Sequence, residues 1–287
     1  MPTGGNRDRA VLAVALESLK KDGFARLDNH LDPGQLSTLS AEASRLFKQP
    51  DILSDRHPAG WLEIDKPLEL SALYRQLLMD PVPCSAAVAL LGPDIELANG
   101  GELDQKVPET PTSSCGWHSD FIWMGYLPRP RPFFWLSAYY FIEDVDVDSG
   151  PVWVMPGSHR WEAEPQDGDD PASGGRVLTG SEALTGKAGT LYLMNNEIWH
   201  MSPPNRSKRP RVIFKMHFKP GWTKWHGKGR EPSKKLREME AEPPVQQLLA
   251  VFDHDDVPWQ HGENVKMSRY PVVNWLRSQG LLLRSYE

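Results

Sequence analysis

Gly116-Trp117-His118-Ser119-Asp120-Phe121 is the stretch on which the reading of this chain turns. Side chains on a β-strand alternate faces with period two, so His118 and Asp120 leave the same side and can grip one cation together. A third ligand has to come from elsewhere. His200 supplies it, after the run Thr190-Leu191-Tyr192-Leu193-Met194 and the turn Asn195-Asn196. Two imidazoles and one carboxylate on one face of an octahedron leave three positions open, the coordination with which non-haem iron(II) sites take up a co-substrate and dioxygen. The pattern His-x-Asp is weak by itself. His254-Asp255-Asp256 repeats it, but within the polar, Pro-flanked stretch Phe252 to Trp259, where no strand pattern exists and a solvated loop is the better reading.

Outward from the first copy, short apolar or alternating runs are separated by Pro and Gly: Ile95 to Leu97, Phe133 to Ile142, Val152 to Met155, Thr190 to Met194 and Val212 to Phe218. This is the pattern of an all-β region. Between two of these strands, Arg160 to Gly189 is acidic, Gly-rich and aperiodic, and reads as a long surface loop, either a lid over the mouth of a barrel or a plain insertion. Upstream, Leu12, Leu16 and Leu19 predict a helix that stops near Lys21-Asp22-Gly23 before a strand at Phe24 to Leu27. Asp32-Pro33 opens a second helix to about Phe47, with the Asp as N-cap and the Pro at the first helical position. Residues 50 to 68 read as irregular, and 69 to 91 as one or two short helices. Helical stretches near Val245 to Val251 and Val272 to Leu283 form a C-terminal cap. The expected organisation is one domain over 1–287, with helical support in 1–94, a strand core in 95–220 and the cap in 221–287.

The net charge of -6 is spread along the chain without a basic arm or stripe, and the run Lys224 to Lys235 reads as a solvated loop, so neither nucleic acid nor membrane is an expected partner. Met1 to Ala10 hold no apolar stretch of the kind a secretory leader needs, and no later segment has the length of unbroken apolar residues that spans a bilayer. Two cysteines, Cys84 and Cys115, are too few for a disulfide framework. A reducing cytoplasm is the expected setting.

Three segments carry a resemblance: Trp117-His118-Ser119-Asp120; Ser149-Gly150-Pro151-Val152-Trp153-Val154-Met155-Pro156-Gly157-Ser158-His159-Arg160; and His200-Met201-Ser202-Pro203-Pro204-Asn205-Arg206-Ser207, with Arg211 beyond it. Together they resemble the phytanoyl-CoA dioxygenase family, and the spacing from His118 to Arg160 is similar to that of bacterial ectoine hydroxylases. Ile122-Trp123-Met124-Gly125 replaces the acidic and Trp-His residues of those enzymes, so ectoine itself is not implied.

The resemblance implies a mainly β fold with flanking helices, a double-stranded β-helix (jelly roll, cupin-like) with Fe(2+) at its mouth. It also implies 2-oxoglutarate as co-substrate, O2, and release of succinate and CO2 as a small-molecule substrate is oxidised. Arg211 would pair with the distal carboxylate of 2-oxoglutarate, a task suited to a planar fork of donors. Ser202 and Gln105 would assist at the carboxylates, and Lys106-Val107-Pro108 is similar to the Lys-Pro step before the first ligand strand. The carboxylate at Asp120 favours oxygenation over halogenation, because related halogenases have a small residue there. Hydroxylation, desaturation, ring formation and demethylation all stay open, as do a monomer and a homodimer. Trp123, Tyr126 and Trp153 are the aromatics placed to touch substrate, although an aromatic on an apolar strand is ordinarily core. His159 reads as an organiser of the Pro156–Arg160 bend, and His217 as a core or wall residue. A cupin-type isomerase is opposed by the spacing of Arg211, and an inactive binding module by the intact triad.

Overall fold

The computed structural model describes residues 5–54, 60–108, 115–120, 128–162, 177–223, 232–239, 242–251 and 270–283. Trp123, Tyr126, His254, Asp256 and residues 163–176 of the stretch 160–189 lie outside them. Helix α1 (Gly5–Lys21) stops where Gly23 takes a φ of +88°, and β1 (Phe24–Leu27) follows. Asp32 caps α2 (Pro33–Leu46) by accepting from the N–H groups of Gly34 and Gln35, while the Gln35 side chain accepts from the N–H of Asp32. Such a reciprocal box satisfies donors that a helix start otherwise orphans.

The stretch 50–68 is not wholly irregular, since it contains β2 (Trp61–Ile64). β2 pairs antiparallel with β4 (Glu102–Lys106), a long-range contact that the local sequence does not reveal. Three short helices follow: α3 (Pro67–Leu70), α4 (Ala72–Arg75) and α5 (Pro81–Leu91). Then come β3 (Ile95–Leu97), β4, β5 (Cys115–His118), β6 (Leu136–Phe141), β7 (Trp153–Val154), β8 (Glu182–Ala183), β9 (Leu191–Asn195), β10 (His200–Ser202) and β11 (Arg211–Pro220). β8 corrects the reading of 160–189 as strandless, because it pairs with β7. Helices α6 (Lys234–Met239), α7 (Pro243–Leu248) and α8 (Pro271–Ser278) end the described chain. Leu236 of α6 is buried, so the basic run ahead of it leads into a packed helix rather than a solvated loop throughout.

The strands form two antiparallel sheets facing each other as a double-stranded β-helix. The major sheet has the order β1-β9-β6-β11-β4-β2 with β3 beside β11, and the minor sheet the order β5-β10-β7-β8. Alternation on β11 shows how the sheets divide the labour. Val212, Phe214, Met216 and Phe218 turn outward into a core shared with Leu16 and Leu19 of α1, Leu46 of α2, Val88 of α5 and Leu276 of α8. Arg211, Ile213, Lys215 and His217 turn inward. Each outward side chain buried this way contributes about 1.5–3 kcal/mol, so the helices fix the sheet while leaving its inner face to polar residues. The C-terminal helices are tied on by Gln247, whose amide donates to the Pro93 carbonyl (2.8 Å) and accepts from the Val272 N–H (3.0 Å). Among the described residues no helix is long and apolar enough to cross a membrane.

Candidate metal centre

β10 lies between β5 and β7, and the antiparallel register sets His200 directly opposite His118. The ring centroids are 4.3 Å apart. His118 Nδ1 lies 2.7 Å from the Gly116 carbonyl and His200 Nδ1 2.9 Å from the Ile198 carbonyl. A carbonyl can only accept, so each Nδ1 carries the proton and each Nε2 turns a lone pair inward. Asp120 Oδ1 stands 3.5 and 3.6 Å from those two Nε2 atoms. Three acceptors thus converge with no proton between them, and all three lie within 4.8 Å of one another. That is a seat for a cation. The donor set and its outer hydrogen bonds fit an iron(II) site with an open side.

Asp120 is not on the strand whose alternation was to orient it, since β5 ends at His118. Asn196 holds it instead. The Asp120 N–H donates to the Asn196 carbonyl (3.1 Å), and the Asn196 amide donates to Asp120 Oδ2 (2.5 Å). Asn196 Oδ1 in turn accepts from Ser137 Oγ (2.5 Å), which lies 2.6 Å from His217 Nδ1. The sequence marks Asn196 only as a turn residue; its role needs the fold. Burial by itself would raise the Asp120 pKa, but His200 and His118 outweigh it and hold the carboxyl well below the usual range. Burial, and then His118, push His200 down to about 4, which keeps the ring neutral as a ligand must be.

The triad opens on a cavity of about 240 Å³ between the sheets. Arg211 lines it, buried at 1% exposure. Its Nη1 donates to the Gly150 carbonyl (2.9 Å), while Nε has no partner among the described residues. Burial draws its pKa down to about 10, with Asp104 and Tyr139 opposing, so the guanidinium stays charged at neutral pH. A buried cation with a donor to spare fits an incoming carboxylate. Ser202 lines the same cavity. Lys106 reaches Ser202 rather than open space. Its ammonium donates to Ser202 O (3.0 Å), Ser202 Oγ (2.7 Å) and Pro203 O (2.7 Å), which uses all three of its donors. It positions Ser202. Gln105 alternates with the cavity-lining Asp104 and therefore faces the other side of β4.

Trp153 also sits away from the cavity. It packs with Trp117, Met155, Trp199 and Met201 on the outer side of the minor sheet, and its neighbour Val152 lines the interior. His159 belongs to neither, its Nε2 donating to the Lys20 carbonyl at 3.1 Å. His217 is a wall residue of the cavity. Missed by sequence reasoning was a charged floor of Glu63, Glu102, Asp104 and Lys215 on β2, β4 and β11. Burial works against the Lys215 ammonium, but Asp104 and Glu102 hold its pKa well above the usual value.

A family profile described as phytanoyl-CoA dioxygenase matches residues 19–213. Ectoine dioxygenase of Bordetella bronchiseptica is 26% identical over 231 residues, covering 71% of this chain and 73% of that protein. HygX of Streptomyces hygroscopicus, solved with nickel, 2-oxoglutarate and hygromycin B, superposes with a TM-score of 0.61 at 14% identity over 78% of this chain and 93% of that one. The epimerase SnoN, solved with Fe3+, alpha-ketoglutarate and nogalamycin RO, gives 0.58 at 21% identity over 78% and 94%. At such identities the two structures speak for the fold.

Proposed function

The chain belongs to the phytanoyl-CoA dioxygenase family, and from that premise we propose that its cavity oxidises a small molecule at a metal held by His118, Asp120 and His200. It is a non-haem iron, 2-oxoglutarate-dependent oxygenase. The observation that carries the site assignment is the meeting, in one cavity, of three inward-facing acceptors and a buried guanidinium whose Nε lacks a partner among the described residues. Iron(II) with 2-oxoglutarate and dioxygen supplies the oxidising power, with succinate and carbon dioxide as by-products. The protein's own work is placement. His118 and His200 are fixed in one tautomer by backbone carbonyls, Asp120 is aimed by Asn196, and Arg211 anchors the far carboxylate of the co-substrate with Ser202 beside it. The two facing sheets shelter the reacting groups from bulk water.

A small-molecule substrate is extended to this chain from its relatives, but ectoine is not, because residues 122–125 depart from the ectoine pattern. Succinate release from 2-oxoglutarate, measured with and without added iron(II), tests the reading. Iron-dependent release in the parent protein and its loss in His118→Ala, Asp120→Ala and His200→Ala are expected. A His200→Ala protein that keeps full iron-dependent turnover would overturn the assignment.

A further inference from the structure

Three neighbouring strands of the major sheet carry a row of polar side chains up to the metal centre. The antiparallel register sets His217 of β11 directly opposite Ser137 of β6, and Ser137 opposite Met194 of β9, two residues before Asn196. His217 Nδ1 lies 2.6 Å from Ser137 Oγ, Ser137 Oγ 2.5 Å from Asn196 Oδ1, and Asn196 Nδ2 2.5 Å from Asp120 Oδ2. Ser137 and Asn196 are fully buried, and His217 is buried on the cavity wall. Among the described residues the Ser137 hydroxyl and the Asn196 amide have no other side-chain partner.

These bonds can run in one direction only. The Asp120 carboxylate accepts, so the amide nitrogen of Asn196 faces it and the amide oxygen faces Ser137. That oxygen takes the single proton of the Ser137 hydroxyl, and Ser137 Oγ must then accept from the Nδ1–H of His217. A hydroxyl by itself is ambivalent, because it donates and accepts equally well. With His217 donating to it, Ser137 has to turn its proton toward Asn196. Without that donor it could serve a flipped amide, which would set an oxygen against Asp120. The ring itself is held by aromatic walls, its centroid 5.8 Å from that of Trp135 and 6.3 Å from that of Tyr139, the latter edge-on. Glu102 Oε2, 3.6 Å from His217 Nε2, is too distant to orient the ring by a hydrogen bond.

Resting on the metal assignment made above, we infer that His217 and Ser137 are positioning residues for Asp120. His217 makes Ser137 a donor, Ser137 fixes the Asn196 amide, and that amide aims the carboxylate at the cation. Because His217 also lines the cavity, the wall that meets a substrate and the aim of a metal ligand share one residue. Asparagine and glutamine separate its two ring nitrogens, since the Asn amide nitrogen overlies Nδ1 and the Gln amide overlies Nε2. Iron(II) affinity is measured by calorimetric titration under nitrogen, and the surroundings of the metal by the visible absorption of the iron(II)–2-oxoglutarate chelate. Ser137→Ala and His217→Gln should each weaken iron(II) binding about tenfold, the low end of what outer partners of metal ligands cost, and should shift the chelate band. His217→Asn should keep both parent values, with far-ultraviolet circular dichroism confirming the fold of all three. A measurement on the parent protein stands apart from any folding defect. Proton–nitrogen correlation spectra of the metal-free protein with isotope-labelled histidine, in mildly alkaline buffer, should show the His217 ring proton on Nδ1, the signal being assigned by its loss in His217→Asn. Parent-like iron affinity in Ser137→Ala, equal damage from Asn and Gln, or a ring proton on Nε2 in place of Nδ1 would overturn the proposal. A parent protein that binds no iron(II) would instead bring down the metal assignment, and this inference with it.

Discussion

Asn196 sets the orientation of Asp120, because the carboxylate lies beyond the end of β5 and no ladder holds it. Outer partners of metal ligands typically cost about 10–100-fold in metal affinity when removed. Asn196→Ala should therefore weaken iron(II) binding by that order in a calorimetric titration, with the far-ultraviolet circular dichroism preserved; unaltered affinity would mean that Asp120 needs no guide. Arg211 makes a second residue-scale case. Losing a charge-assisted pair in a desolvated pocket costs about 2–5 kcal/mol, so Arg211→Ala should raise the KM for 2-oxoglutarate far more than that for the primary substrate. An unchanged dependence on 2-oxoglutarate would remove Arg211 from the site. The candidate ligands are legible from residue type and spacing together with the family resemblance, and Arg211 from that resemblance. The charged floor is not. Glu102-Leu103-Asp104-Gln105-Lys106 alternates charged with uncharged residues, as any half-exposed strand does, and only closure of the two sheets turns its charged side into a cavity wall.

At the scale of elements, length helped without deciding, since β1 and β3, of four and three residues, were legible from their apolar runs. β11, β9 and β6 carry enough apolar residues to announce themselves, whereas β2 and β8 have four and two residues and show only in their pairing with β4 and β7. His30 belongs to no motif in the sequence, yet it links to Asp80 at the start of α5 and through it to β6. Its Nε2 lies 2.5 Å from Asp80 Oδ2, Asp80 caps α5 by accepting from the Val82 N–H (3.1 Å), and Tyr140 of β6 donates to the same Asp80 oxygen (2.9 Å). Burial disfavours the charged His30 ring, but the Asp80 carboxylate outweighs it and raises the pKa above the ordinary value. A raised folded-state pKa gives stability that is full below the unfolded value of about 6.5 and fades as pH climbs through the folded one. His30→Gln should thus cost about 1.5–3 kcal/mol near pH 5.5 and distinctly less near pH 9 in urea melts. A loss that does not vary with pH would show that the ring acts by packing alone.

Across the whole molecule the two sheets are unequal. The major sheet is backed by the helical core, while the minor sheet is built from strands of four, three, two and two residues. Two of the three candidate ligands, His118 and His200, lie on adjacent minor-sheet strands, and Asp120 is tied to the turn after β9 of the major sheet. Arg211 stands on β11, across the cavity. Iron alone should accordingly brace the minor sheet, and 2-oxoglutarate held between the metal and Arg211 should add a strap from sheet to sheet. A ligand at a hundred times its Kd stabilises the folded state by about 2.7 kcal/mol, a rise of roughly 4 to 5 °C in Tm for a chain of this size. Melting under nitrogen should therefore climb in two steps, the first with iron(II) and the second with 2-oxoglutarate. Arg211→Ala should keep the first step and lose most of the second, and His200→Ala should lose both. If the Arg211 variant gains as much from 2-oxoglutarate as the parent does, the co-substrate does not cross the cavity to β11, and its far carboxylate must be held from the minor sheet instead.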